Sequence, residues 1–257
     1  MDLIAFKLTA TPLLIAAATL AARRWGQAVG GWLVGLPLTS GPVALFLALD
    51  QGTPFAASSA LGSLQGVMAQ GLFSLVFTRL ILSLSWPATL ALASIAYVAA
   101  GAFLHTLAFS LPVLFLLCLP ALALSLLAMP PSPQSAPSTI PAPRWDLPAR
   151  MAVATSLVLG ITALAPTLGP VTSGVTASYP VFATTLAVFA KRSYGAAQAV
   201  RALRGLVVGL YAFTAFFFVI GETLVPLGIG ASFALAIAVA LAIQGATLIA
   251  VHRLRLG

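Results

Sequence analysis

Charge is what this sequence has least of. Asp, Glu, Lys and Arg make up only 6% of its 257 residues, where a soluble domain carries about a quarter. The carboxylates are Asp2, Asp50, Asp146 and Glu222, all at expected helix ends or loops. Proton-driven carriers commonly place a carboxylate or histidine inside the bilayer. Here only Asp50, Glu222 and His105 are plausible proton acceptors, and all are expected near one face, so buried proton coupling is disfavoured. Sodium coupling, or movement down a gradient, stays open. The single cysteine, Cys118, excludes an internal disulfide or a dithiol pair and reads as a small apolar residue. No His/Cys/Asp/Glu cluster has metal-ligand spacing, and there is no G-x-S-x-G or P-loop string. A Ser/His/Asp set would have to join distant groups without a local signature. The expectation is a non-enzyme with no catalytic residues, no metal and no cofactor.

What is abundant is apolar surface: 61% of the residues are hydrophobic and the mean hydropathy is +1.10. Runs of membrane length recur at about 3–21, 30–49, 57–78, 88–104, 108–128, 150–167, 169–190, 203–221 and 229–251. The expected fold class is therefore an all-α polytopic membrane protein of about nine transmembrane helices. The opening Met1-Asp2 lacks a basic n-region, and Arg23-Arg24 follow the first apolar run, so that run is expected to stay as a helix and not to be a cleaved signal.

The formal net charge of +8 reads as a topology signal, not as a nucleic-acid footprint. Arg23, Arg24, Arg79, Arg144, Arg150, Lys191, Arg192, Arg253 and Arg255 fall on one set of connections, and the other set between spans carries no Lys or Arg. The bias gives an N-out, C-in orientation in a bacterial-type inner (cytoplasmic) membrane. Lys7 is the exception and is placed to snorkel. Prolines at 130, 131, 133, 137, 141, 143 and 148 mark one linker among serines and alanines, too poor in apolar residues to build a core. It divides the chain into a five-span half (1–128), a Pro-rich cytoplasmic linker (129–148) and a four-span half (149–257).

Two strings stand out inside apolar runs. Pro37-Leu38-Thr39-Ser40-Gly41, followed by Pro42, lies in the second span, and Pro170-Val171-Thr172-Ser173-Gly174 lies in the seventh, with Pro180 beyond it. Proline and glycine in mid-span break a helix and free backbone groups, which lipid tolerates only where protein or a watery cavity satisfies them. An odd number of spans before the linker makes the second copy run opposite to the first. Pro42 to Gly66 and Pro180 to Gly205 are nearly equal in length, whereas the two Thr-Ser-Gly strings require a gap. The plan resembles the broad class of inverted-repeat secondary transporters with discontinuous helices. That resemblance implies a binding site where paired broken helices meet.

The candidate binding residues are Pro37, Thr39, Ser40, Gly41, Pro42, Pro170, Thr172, Ser173, Gly174, Thr176, Ser178, Tyr179 and Pro180. Their hydroxyls and freed carbonyls suit a polar solute or sodium; the alternative is that each hydroxyl bonds back within its own helix. Arg201 and Arg204 share a helix face and are a candidate anion contact, or else topology charges alone. Gln65 and Gln70 are a candidate second wall, of which one at most points at the site. The function expected is a carrier of a small polar, zwitterionic or singly anionic solute by alternating access. The alternative is a non-transporting subunit that assembles partners through the Pro-rich loop. The expected partners are the bilayer and a small-molecule solute; oligomeric state is not legible.

Overall fold

The computed structural model describes residues 36–131, 145–181 and 195–254, with 8, 9, 12, 13, 16, 20, 184, 187, 188 and 191 besides. Most of the expected span at 3–21, the start of that at 30–49 and most of the Pro-rich linker lie outside the described residues. So do Lys7, Arg23, Arg24, Arg144, Arg192 and Arg255. Among the described residues every regular element is helical. The helices are α1 (Ser40–Gln51), α2 (Thr53–Leu80), α3 (Trp86–Thr106), α4 (Leu111–Ala128), α5 (Asp146–Leu168), α6 (Pro170–Ala177) and α7 (Ala196–Leu254). Four of them, α2, α3, α4 and α7, are long and apolar enough to cross a membrane.

The prolines explain where helices begin. Pro54, Pro87, Pro112 and Pro170 occupy the first or second position of α2, α3, α4 and α6. A missing N–H costs nothing there, because the first amides of a helix have no intrahelical partner.

Glycines set the joints. Gly52 between α1 and α2 (φ 88°, ψ 163°), Gly169 between α5 and α6 (73°, 168°) and Gly228 inside α7 (75°, 176°) share one conformation. This corner of backbone space is essentially closed to residues with a Cβ. It lets one helix follow another with a single residue between them. A Cβ at Gly169 or Gly228 would meet open space, so alanine there tests the backbone alone. Gly169→Ala and Gly228→Ala are each expected to destabilise the fold by about 1–3 kcal/mol, read from reversible unfolding in mixed micelles. Unchanged midpoints would show that the joints accept another conformation.

Helix α2 is the centre of the molecule. It packs against α1, α3, α4, α6 and α7, and 72% of its apolar window is buried, against 17% for α4. Phe73, Phe77, Leu64 and Val67 of α2 lie in one core with Leu203, Leu206, Phe216 and Phe217 of α7. The outward faces of α3 and α4 stay apolar, with Ile95, Val98, Phe103, Leu116, Leu124 and Leu127 exposed. Exposed apolar faces around a buried, small-residue-rich centre are the pattern of a chain embedded in lipid, where helices gain by close packing and not by water exclusion.

Small residues let α2 and α6 approach to backbone contact. A Cβ on Gly62 would overlap the carbonyl of Val171, and one on Gly174 would overlap the carbonyl of Ser59. A Cβ on Gly66 would strike Ser178. The two helices therefore touch along their glycines, and α6 is seated directly on the central helix.

The cations serve helix ends. Arg79 donates from Nε (3.0 Å) and Nη2 to the Ala128 carbonyl. Arg204 Nη1 reaches the carbonyls of Leu126, Met129 and Pro130 at 3.3–3.4 Å. Both arginines thus cover the carbonyl end of α4, where unpaired acceptors and the helix dipole favour positive charge. Lys191 Nζ does the same for α2, donating to Ile81 and Leu84 carbonyls at 2.8 Å each.

Candidate functional site

Within the apolar run at 30–49, of which 30–35 lie outside the described residues, residues 36–39 are not helical, as the Pro37 string suggests, and α1 begins at Ser40. Ser40, Gly41 and Pro42 are already helical, with Pro42 in the first turn, so the unwound stretch is shorter than the full string. In the second half the interruption falls only at the far end of the expected 170–180 stretch. Pro170, Thr172, Ser173 and Gly174 are inside α6, and the chain unwinds at Ser178, Tyr179 and Pro180. Ser173 Oγ donates to the Gly169 carbonyl (2.7 Å) and Thr176 Oγ1 to the Thr172 carbonyl (2.8 Å). The physical reason is that Pro170 opens a helix without strain, and the small residues after it fit against α2 only while helical.

The two interruptions have the same hydrogen-bond pattern. Around Pro37, the Leu38 amide donates to the Leu36 carbonyl (2.7 Å) and the Gly41 amide to the Pro37 carbonyl (2.8 Å). Around Pro180, the Val181 amide donates to the Tyr179 carbonyl (2.8 Å) and the Thr184 amide to the Pro180 carbonyl (2.9 Å). Each is a three-residue turn centred on proline and followed by a helical bond. The turns therefore pair Pro37 with Pro180, in place of the Pro42/Pro180 and Pro37/Pro170 registers expected from the sequence. The same offset pairs Gly52 with Gly195, both at φ 88°.

The interruptions also meet. Ser40 Oγ donates to the Ala177 carbonyl at 2.7 Å, joining the first residue of α1 to the last of α6. Gln70, from the middle of α2, donates through Nε2 to the Ser178 carbonyl. Since a carbonyl only accepts, that bond fixes the amide's orientation and leaves Oε1 as the second group. Oε1 is buried and has no protein donor among the described residues. Gln65 points elsewhere, donating to the Leu104 carbonyl at 3.1 Å. Of the two glutamines, then, only Gln70 reaches the paired interruptions.

Two tyrosines brace the second turn. Tyr179 Oη shares a 2.6 Å hydrogen bond with Ser94 Oγ of α3, and Tyr97 Oη donates to the Val175 carbonyl at 2.7 Å. The rings of Tyr97 and Tyr179 meet edge to face at 5.3 Å. Ser178 Oγ bonds back to the Gly174 carbonyl at 3.0 Å. Tyr179 and Ser178 are thus held in place, and Ser178 contributes backbone more than hydroxyl to the site.

Between the interruptions lies a small, partly open hollow of about 20 Å³, room for about one water. Leu36, Thr39, Ser40, Gln70, Tyr179, Pro180 and Val181 line it. Leu206, Leu210 and Phe213 of α7 complete it. Thr172 and Thr176 do not line it, and Arg204 is engaged at the end of α4. Arg201 lies one turn before Arg204 and does not line the hollow either. The α7 residues escape sequence reasoning because their spacing is one helical face in a segment apolar all round. Ser94 and Tyr97, lone polar groups in an apolar span, gave a signal that was readable. The described residues hold no group of three or more His, Cys, Asp or Glu suited to a metal ion.

Compared with protein-family models, with curated proteins and with solved structures, the chain matches none.

Proposed function

We propose that this chain is a membrane carrier whose solute site is the hollow between the turns at Pro37 and Pro180. One observation carries the reading. Two interruptions far apart in sequence, alike in their bonding, lie against each other and share a polar hollow. Broken helices meeting at a cavity are how secondary transporters combine a polar site with an apolar surround.

In this reading the chain is two inverted halves of a nine-span protein, N-out and C-in, in a bacterial-type inner membrane. The charge bias supports the orientation. The duplication is supported by identities at the offset of the two turns: Phe46/Phe189, Ala56/Ala199, Gly62/Gly205, Gly66/Gly209, Ala69/Ala212, Phe73/Phe216 and Val76/Val219. Gly26/Gly169 and Gly31/Gly174 continue the series before the turns. Alternating access then consists of one half moving against the other around the turns. The protein has no enzymatic role in this reading and needs no cofactor; sodium is a candidate coupling ion.

The test is aqueous access that changes with state. On a Cys118→Ser background, Thr39→Cys in proteoliposomes is expected to react with a membrane-impermeant thiol reagent from one side. The reaction should slow when a transported solute from an uptake screen is added. Shielding of that cysteine under every condition, or an uptake screen that matches empty liposomes throughout, would sink the carrier reading.

A further inference from the structure

The two halves match in backbone and differ in side-chain bonding. In the register that pairs Pro37 with Pro180, Gly52 and Gly195 share φ 88° and immediately precede α2 and α7. Ser85, just before α3, pairs with Gly228, the joint inside α7. One turn further on, Thr89 pairs with Ser232. Both are fully buried, and neither hydroxyl has a partner among the described residues. Like residues thus fill like places well beyond the turns.

The braces of the Pro180 turn depart from this correspondence. From the first half, Ser40 Oγ donates to the Ala177 carbonyl (2.7 Å), Gln70 Nε2 to the Ser178 carbonyl and Tyr97 Oη to the Val175 carbonyl (2.7 Å). Ser94 Oγ shares a 2.6 Å bond with Tyr179 Oη. The second-half counterparts of Ser40, Gln70, Ser94 and Tyr97 are Ala183, Phe213, Ile237 and Ala240, and Leu36 stands where Tyr179 does. None of those five side chains has a hydrogen-bonding group. Polar groups of α7 are engaged elsewhere: Tyr211 Oη donates to the Leu119 carbonyl (3.2 Å), and Thr214 Oγ1 bonds back to the Leu210 carbonyl (2.7 Å). Side chains of the first half therefore tie down the Pro180 turn, and the corresponding side chains of the second half have no means to do the same for the Pro37 turn.

Resting on the carrier reading, we infer that this arrangement is the favoured state of the transport cycle, latched by polar braces that the opposite-facing state does not rebuild. In a carrier of two inverted halves, the halves trade roles when the site changes sides. That exchange breaks the braces and puts Ala183, Phe213, Ile237 and Ala240 where their donors stood. One interhelical side-chain bond in a membrane bundle is worth about a threefold factor in an equilibrium. Because the braces hold one segment, their effects are not independent, and together they bias the two states by about 10-fold or more. A transported solute then has to favour the opposite state to turn the carrier over. Ser94 and Tyr97 do not line the hollow, so their part is to set this balance and not to hold the solute.

The balance is read by labelling from both sides. In uniformly oriented proteoliposomes carrying Thr39→Cys on the Cys118→Ser background, an impermeant thiol reagent is applied to each side in turn. Ser94→Ala combined with Tyr97→Phe is expected to raise the ratio of slow-side to fast-side labelling by about three- to tenfold. Either single change should raise it by about threefold and serves if the double variant does not fold. Thr78→Val, which deletes a hydroxyl bonded back to the Ser74 and Leu75 carbonyls of its own helix, should leave the ratio unchanged. If the braces only support the fold, their loss lowers the unfolding midpoint and leaves the ratio as it was, which overturns the inference. An equal rise in Thr78→Val overturns it too. Shielding from both sides in every variant sinks the carrier reading and the latch with it, whereas labelling from both sides at an unchanged ratio sinks the latch alone.

Discussion

Gly174→Ala and Gly62→Ala are expected to be the most damaging single-methyl changes in this protein. At each position the added Cβ would overlap a backbone carbonyl of the facing helix, Ser59 from Gly174 and Val171 from Gly62. A flexible side chain can turn away, but a carbonyl in a packed helix moves only with the helix. The pair must separate, losing dispersion contacts along its length. Overpacking usually costs about 1–3 kcal/mol, and these positions belong at or above the top of that range. Alanine is also the better helix former, so propensity predicts the opposite sign. The double substitution should be less than additive, because the first separation already makes room for the second methyl. A double-mutant cycle on unfolding free energies in mixed micelles checks both statements. Single substitutions that are neutral or stabilising would show that α6 is not seated on α2 as described.

Joint replacement of Arg79 and Arg204 by methionine is expected to release the carbonyl end of α4. The guanidiniums cover the carbonyls of Leu126, Ala128, Met129 and Pro130. Bonds from a charged donor are stronger than neutral ones, but Arg79 is exposed and its contribution is screened. A combined loss of about 2 kcal/mol follows. Methionine keeps the apolar stem, so the loss reports the cap and not packing. Replacement by lysine should restore part of it, since charge is kept and the planar fork is lost. The measurement is the unfolding midpoint at low and high salt. If topology were the whole role of these arginines, the double variant would match the wild type in a correctly inserted sample.

Arg204 shows how much a sequence can say about a charge. Its presence in an apolar segment marked it as special, and either anion binding or topology fitted that mark. The α4 carbonyls it reaches lie far away in sequence, beside the Pro-rich segment, and neither reading named them. Lys191 is similar: assigned to topology by its position, it also caps the end of α2. A cation's partner is set by which helix end lies within reach, and helix ends come together only through packing.

The seventh span shows the limit from another side. Pro170 starts a helix instead of breaking one, while Pro180 is the residue at the turn. Proline forbids a helix from continuing through it and permits one to begin at it. Which applies depends on the residue before it. Gly169, in a conformation open to glycine, ends α5 and lets Pro170 open α6. The two Thr-Ser-Gly strings looked like the repeat, yet their bonding environments differ. The correspondence of Pro37 with Pro180 proposed above rests on scattered small and aromatic residues, and such letters recur too often in apolar helices to identify a register unaided.

What the sequence determined alone is the solvent and the class. Composition excludes a water-exposed fold, apolar runs make the elements helical because lipid leaves no other partner for backbone groups, and Pro37 marks an interruption. What only the tertiary structure decided is which residues come together. Ser40 meets Ala177, Gln70 meets Ser178, and Phe213 lines the same small hollow as Ser40 and Gln70. The reason is physical. In a chain whose helices are apolar on every side, hydrophobic pattern does not say which face turns inward. That choice is made by close contact between small residues, Gly62 and Gly66 against α6, and by the few polar groups that must find partners once water is gone.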